Sequence, residues 1–347
     1  MKNLLLNSSI TIKKIFVAVI CLCSFSALAQ DNLYPIQQGG KYGYINKSGK
    51  VVIEPQYSIA DQFSDGMASV KLNGKRGYIN SAGKMIIEAQ FDEAFGFKEG
   101  MAPVKKASKW LYIDQTGKTV FEAACDYAYP FSEGLARFQL GYKLGYFDKT
   151  GKAVIPANFD AAFDFSEGLA RVKSGDVKTA KWGYIDKTGE VVIDYAFDDC
   201  FEFAEGLANV RLGNEQTGKW GYIDKKGKIV LDAKFDKAFR FSDGLAIFRQ
   251  GDFKKGKFGY IDKSGKVVLQ ATYDGAFNFM DGLACVREGD IKSGKWGYID
   301  KTGKVVIAKE YDFPSDFKGG LAYVRKGSFK NKSAYVDKKG NIIWQQQ

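Results

Sequence analysis

The sequence predicts an all-β repeat protein, and three observations carry that prediction. One motif recurs nine times. A full copy reads Lys181-Trp182-Gly183-Tyr184-Ile185-Asp186-Lys187-Thr188-Gly189, and its Tyr returns at Tyr44, Tyr78, Tyr112, Tyr146, Tyr222, Tyr260, Tyr298 and Tyr335. No long window carries a helical period, whereas short stretches rich in β-formers are bounded by turn residues. The 27 Phe and 19 Tyr suit half-buried pleated surfaces. Repeats of this length stack on their neighbours, so the 347 residues read as one array rather than two or three domains.

Each unit resolves into strands and tight turns. Trp182 to Asp186 reads as a strand. Asp186-Lys187-Thr188-Gly189 follows as a turn, with Asp able to accept local backbone N–H groups and Gly able to take the left-handed conformation. Val191-Val192-Ile193 returns. A connector such as Phe159-Asp160-Ala161-Ala162-Phe163-Asp164-Phe165 then leads through Ser166-Glu167-Gly168 into the strand Leu169-Ala170-Arg171-Val172. The unit is an antiparallel meander of three to four strands.

The first Lys of the core falls at 41, 75, 109, 143, 181, 219, 257, 295 and 332. The array over 31–347 therefore has a period of 34 across 41–142, about 38 across 143–331, and a terminal unit 332–347. The added residues sit in one loop, between Val172 and Lys181 in the fifth copy. The terminal units look complete in their three main strands, with no split blade to join a ring. The expectation is an open β-solenoid or superhelix, with a closed β-propeller as the alternative.

Residues 1–30 read as a signal peptide. Lys2, Lys13 and Lys14 precede an apolar run from Ile15 to Phe25, and Ala27-Leu28-Ala29 supplies small residues for cleavage near Ala29 or Gln30. The run is too short to span a bilayer, so no stable membrane insertion is expected after cleavage. Neither Cys21 nor Cys23 follows a small residue as a lipid-anchored cysteine would. The chain is expected to be exported, to the periplasm, the cell surface or the medium.

Removing those three lysines takes the net charge from +11 to +8. The charge is spread evenly through the repeats with no basic block, which argues against a nucleic-acid groove. Cys125, Cys200 and Cys285 occupy three different columns of the repeat and make neither a disulfide framework nor a metal site. The chain has no His, which excludes His-based triads, His metal sites and imidazole acid–base chemistry. Gly213 to Lys219, Gly251 to Lys257 and Gly289 to Lys295 imitate a phosphate loop. Each continues into an aromatic residue and a strand, where a Ser/Thr and a helix are required. No cofactor is expected.

Two carboxylate columns recur, one from Asp92 through Asp198 to Asp312, the other from Asp65 through Glu167 to Asp281. Both flank turn glycines and read as local turn chemistry. The site candidate is aromatic. Trp182 and Tyr184 are two apart and share a strand face. Trp110, Trp182, Trp220, Phe258 and Trp296 could form a ladder that stacks sugar rings or a partner's apolar surface; the competing reading is packing between repeats.

The core Lys-Trp-Gly-Tyr-Ile-Asp-Lys-Thr-Gly-Lys-Val-Val-Ile, with its connector Phe-Asp-x-Ala-x-x-Phe-Ser-Glu-Gly-Leu-Ala, resembles the bacterial WG-repeat family over about residues 33–344. It is also similar, more loosely, to the Trp-Tyr-Tyr hairpins of choline-binding and cell-wall-binding repeats. Arg76, Leu111, Leu144 and Ala334 each replace one letter of the Trp-Gly pair. The resemblance implies a β-repeat scaffold found in exported bacterial proteins, and it brings no catalytic residues. The function expected is non-catalytic: a binding scaffold at the cell envelope with a protein or glycan ligand and no nucleic acid. A carboxylate-dependent glycan-active enzyme is the alternative. The oligomeric state is not read from the sequence.

Overall fold

The computed structural model describes residues 32–175, 180–252, 254–327 and 333–346. The expected signal peptide, with Cys21 and Cys23, lies outside them, as does most of the loop before Lys181. The described residues are all strand, turn and connection, without a helix. They form nine antiparallel sheets, each made of strands consecutive in sequence. These sheets are blades 1 to 9, and eight of them have four strands.

Blade 5 shows the plan. Its strands are Ala161–Ala162, Ala170–Ser174, Lys181–Ile185 and Val191–Phe197. The first strand is two residues long in six blades and six residues long in blades 4 and 7. The fourth strand exposes alternate residues and forms the rim, with Val191, Val192, Ile229 and Val230 all more than 40% exposed. The connectors after the first strands of blades 5 and 6 and the end of the first strand of blade 7 line a single recess, so the first strands stand where the blades converge. A first strand shorter than the fourth makes each four-stranded blade a wedge, and stacked wedges curve.

The stack closes. Each blade buries its apolar faces against its neighbours, as between blades 5 and 6, where Tyr184, Ile193 and Phe197 meet Cys200, Phe203 and Val210. An open row of nine blades would have eight such interfaces. There are nine cores, and the ninth joins Tyr34, Ile36 and Ile45 of blade 1 to Leu321, Tyr335 and Trp344 of blade 9. The Tyr34 hydroxyl donates to Lys318 O at 3.1 Å and Gly319 O at 2.9 Å, and Tyr335 donates to Pro35 O at 2.9 Å. The fold is a closed nine-bladed β-propeller, which corrects the expected open solenoid. No blade is split between the chain ends, as the sequence suggests, but side-chain packing closes the ring without one.

Two repeated positions show why the ring forms. The Tyr of the core sends its hydroxyl out of its own blade: Tyr184 donates to Phe201 O of blade 6 at 2.7 Å, and Tyr44, Tyr78, Tyr112, Tyr146, Tyr222, Tyr260 and Tyr298 do the same to the next blade. The core Gly lies beneath a bulge. Trp182 faces Phe197 while Tyr184 faces Ile193, so residues 194–196 arch over Gly183. A Cβ there would stand 2.6 Å from Ile193 O. Where Leu111 or Ala334 replaces this Gly, the two strands pair one for one and the arch is gone.

Candidate functional site

The site is built on the second strands and connectors, where the ring narrows. A recess of about 520 Å³ is lined by Phe163 to Glu167 of blade 5, Glu202 to Glu205 of blade 6 and Arg240 to Asp243 of blade 7. Within each blade the connector alternates. Phe165 and its counterparts turn into the interface, where Tyr146 meets Phe165 edge-on at 5.0 Å and Tyr184 meets Phe203 at 5.0 Å. The residue just before lines the recess in blades 5 to 7, as Asp164, Glu202 and Arg240, and its counterparts in the other blades are Gln62, Gly96, Pro130, Asn278 and Asp316.

Arginines on second strands reach these acids from the preceding blade. Arg137 Nε stands 3.3 Å from Asp164, and Arg171 Nε stands 3.2 Å from Glu202. Arg171 is buried and fixed on several sides: it donates to Cys200 O, and its guanidinium lies 3.5 Å from the Phe163 ring centre. Protein atoms crowding the recess push the Asp164 carboxyl above its usual range, although half the side chain still meets solvent; Arg137 opposes the shift. Burial likewise raises Asp316, and Arg240 opposes it from two blades away. Burial also pushes the Cys200 thiol up to about 12, which makes it inert as a nucleophile at neutral pH. The recess can hold charged and hydrogen-bonding groups through fixed ion pairs.

The turn carboxylates do not serve their own turns. Each sits at a left-handed residue, with φ of 54° at Glu167, and reaches into the next blade. Glu133 accepts from Glu167 N at 2.6 Å and Gly168 N at 2.8 Å, and Lys187 stands 3.3 Å away. Asp65, Glu99, Glu167, Glu205, Asp243 and Asp281 each accept from the matching Gly N–H. The other column clasps the opposite end of the interface. Asp160 accepts from Lys143 Nζ at 2.6 Å and from Gly175 N at 3.2 Å. The local turn role holds only for the Asp inside the core motif, such as Asp186, whose Oδ1 accepts from Thr188 N and Glu190 N.

The aromatic candidates fall in separate crevices between blades. Trp110 and Trp220 are buried; Trp182, Phe258 and Trp296 are half-buried. Each packs on a connector Phe of its own blade: Trp110 on Phe95 at 6.0 Å, Trp182 on Phe163 at 5.8 Å, Trp220 on Phe201 at 5.6 Å, Phe258 on Phe239 at 6.4 Å and Trp296 on Phe277 at 4.9 Å. Among the described residues no ring contact links one member to the next. The recess residues were missed from sequence. Their signal is a column that changes chemistry from blade to blade just before a Phe that does not.

The fold is similar to that of solved structures. A eukaryotic initiation factor crystal structure aligns with a TM-score of 0.66 at 12% identity, covering 92% of this chain and 98% of that one. A putative dipeptidyl aminopeptidase IV from Bacteroides ovatus aligns with a TM-score of 0.52 at 10% identity, covering 85% of this chain and 61% of that one. At such identities the likeness is one of fold alone. No curated protein matches the chain. The WG containing repeat model matches residues 42–75, 77–110, 112–143, 145–177, 182–215, 220–252, 258–290 and 296–328, and the chain belongs to that family. Each match starts at a third strand and ends past the second strand of the next blade, so eight matches thread nine blades.

Proposed function

We propose that the chain is a non-catalytic binding scaffold, exported to the cell envelope, that holds a protein or glycan ligand in the axial recess. One observation carries this reading. The ring repeats columns such as the connector Phe unchanged, yet the column that lines the recess as Asp164, Glu202 and Arg240 holds Gln62, Gly96, Pro130, Asn278 and Asp316 in the other blades. A position that packing leaves free can be specialised for a partner, and this one carries seven residue types at eight positions. Export rests on the signal peptide expected over 1–30; the first strand begins at Tyr34, so cleavage near Gln30 leaves every blade whole.

A second reading draws on Asp164. Its carboxyl is raised and stands near Glu202, and acid–base hydrolysis of a glycan uses a pair of carboxylates. Each of the two carboxylates is engaged by an arginine, which favours the binding role. The test compares the mature protein with Glu202→Gln/Arg240→Gln in a pull-down from envelope fractions and on a glycan array. Capture that falls at least about tenfold in the variant supports the recess. Equal capture by both contradicts it. Hydrolysis of an envelope polysaccharide that is lost in Asp164→Asn replaces binding with the second reading.

A further inference from the structure

The end of the ring opposite the Glu-Gly turns carries a charge pattern that the recess does not use. Directly across from the Trp column, the second strand presents a cation in blades 2, 3 and 5 to 9. The pairs include Lys173 with Trp182, Arg211 with Trp220 and Arg287 with Trp296. At the same end each interface carboxylate is already engaged. Asp198 is paired with Lys181 and accepts Gly213 N at 2.8 Å, and it also feels Arg211. Asp236, Asp274 and Asp312 repeat this with Lys219 and Arg249, Lys257 and Arg287, and Lys295 and Arg325. Two cations therefore meet one carboxylate at four successive interfaces.

Between blades 6 and 7 two cations share one indole. Lys237 Nζ lies 3.9 Å from the Trp220 ring centre and 5.2 Å from that of Phe201, and the Arg211 guanidinium lies 5.9 Å from the same indole. Among the described residues no carboxylate stands within ion-pair distance of Lys237, and Arg211 Nε is buried without a hydrogen-bond partner. Burial draws the Lys237 ammonium below the usual lysine range; Asp199, which also faces Arg211 across the strand pair, and Glu215 oppose this, and Arg211 and Arg249 add to it. Like charges crowded over one indole are costly unless an anion joins them.

We infer that this end of the ring, centred on Arg211 and Lys237 and continued by Lys173 and Arg287, binds an acidic polysaccharide. Carboxylate or sulfate groups match the repeated cations, and guanidinium groups hold such oxyanions in paired hydrogen bonds. A single-stranded nucleic acid offers the same charge but needs open aromatic faces on which to stack its bases. Trp110 and Trp220 are buried and Lys237 covers the indole of Trp220, so the surface fits a charged chain without bases. A DNA duplex is too stiff to follow the ring, with a persistence length of about 150 bp.

The experiment is titration calorimetry of the full protein with polygalacturonate, a sulfated polysaccharide, neutral dextran and a single-stranded RNA. Wild type, Arg211→Gln/Lys237→Gln and the charge-preserving Arg211→Lys/Lys237→Arg are compared, with melting curves to show that each is folded. The expected result is binding of both acidic polysaccharides that weakens with salt. It should fall at least about tenfold in the glutamine variant and survive in the charge-preserving one. Equal binding by a folded glutamine variant, equal binding of dextran, or tighter binding of RNA than of either polysaccharide overturns the proposal. The recess variant Glu202→Gln/Arg240→Gln should bind these polysaccharides as wild type does, which separates this site from the axial one.

Discussion

Eight interfaces of the ring are variations on one design, and the ninth, between blades 9 and 1, reaches the same end by other means. At an ordinary interface the core Tyr stacks edge-on against a connector Phe, as Tyr184 does with Phe203, and a small Ala from Ala68 to Ala322 lets the second strand approach. At the seam Tyr34 stands in the Ala column and fills the Phe position, its ring 5.4 Å from that of Tyr335. Gly319 replaces the carboxylate, and Asn32 lies so close that a Cβ on Gly319 would meet its Nδ2 at 2.2 Å. The contrast teaches that closure needs only a complementary face, not a shared strand. It also locates the part of the ring where a change acts on closure rather than on one blade.

The largest effect expected is alkaline unfolding. Burial raises all nine core tyrosines, from Tyr44 to Tyr335, far above their usual pKa. A pKa higher in the folded state means stability that is complete below about pH 10 and is lost as pH rises further. An ultraviolet titration should show nine of the 19 tyrosines ionising only as the ring unfolds. Tyr335, the only one of them with measurable exposure beyond 1%, should go first. Free titration of all 19 in a folded ring would contradict the packing.

Tyr34→Ala comes next. It removes a buried aromatic ring and two hydrogen bonds, and should cost about 3–5 kcal/mol in the melting curve. The same loss without any opening of the ring in solution scattering would show that the seam is not the weak point. Tyr184→Phe, at an ordinary interface, removes one hydroxyl from Phe201 O and should cost about 1–2 kcal/mol while the ring stays closed. The smallest effect should come from rebuilding the seam as an ordinary interface. Gly319 already has a left-handed φ of 61°, and Lys47 lies close to Gly320. Gly319→Glu with Asn32→Gly adds an ion pair but sets the new Cβ 2.9 Å from the Tyr34 hydroxyl, so it should lower stability by about 1 kcal/mol. A gain in urea would show that the two designs are interchangeable.

Much of this was legible in the residues, and what was not has physical causes. The core hairpin and its Asp186 turn follow from local chemistry, and they appear as expected. The role of Tyr184 does not, because its hydroxyl binds a carbonyl of the next blade and nothing local announces it. The Glu167 column reads as turn chemistry for the same reason. Closure was misjudged because it rests on Tyr34, one side chain standing in for a Phe far away in sequence. Leu111 and Ala334 look like simple departures from the motif, yet they switch off the arch above the core Gly. The recess column hides in plain view, since its residues share a place in the blade and nothing else.

The central claim is a closed ring, and paired spin labels on the rim test it most directly. Val52, Val120 and Val306 occupy equivalent exposed positions on the outer strands of blades 1, 3 and 8. Val52 is two blades from Val120 within the array and two blades from Val306 across the seam. The ring predicts similar, narrow distance distributions for the two pairs. A Val52 to Val306 distance far longer than that from Val52 to Val120 would mean an open array and would contradict the account.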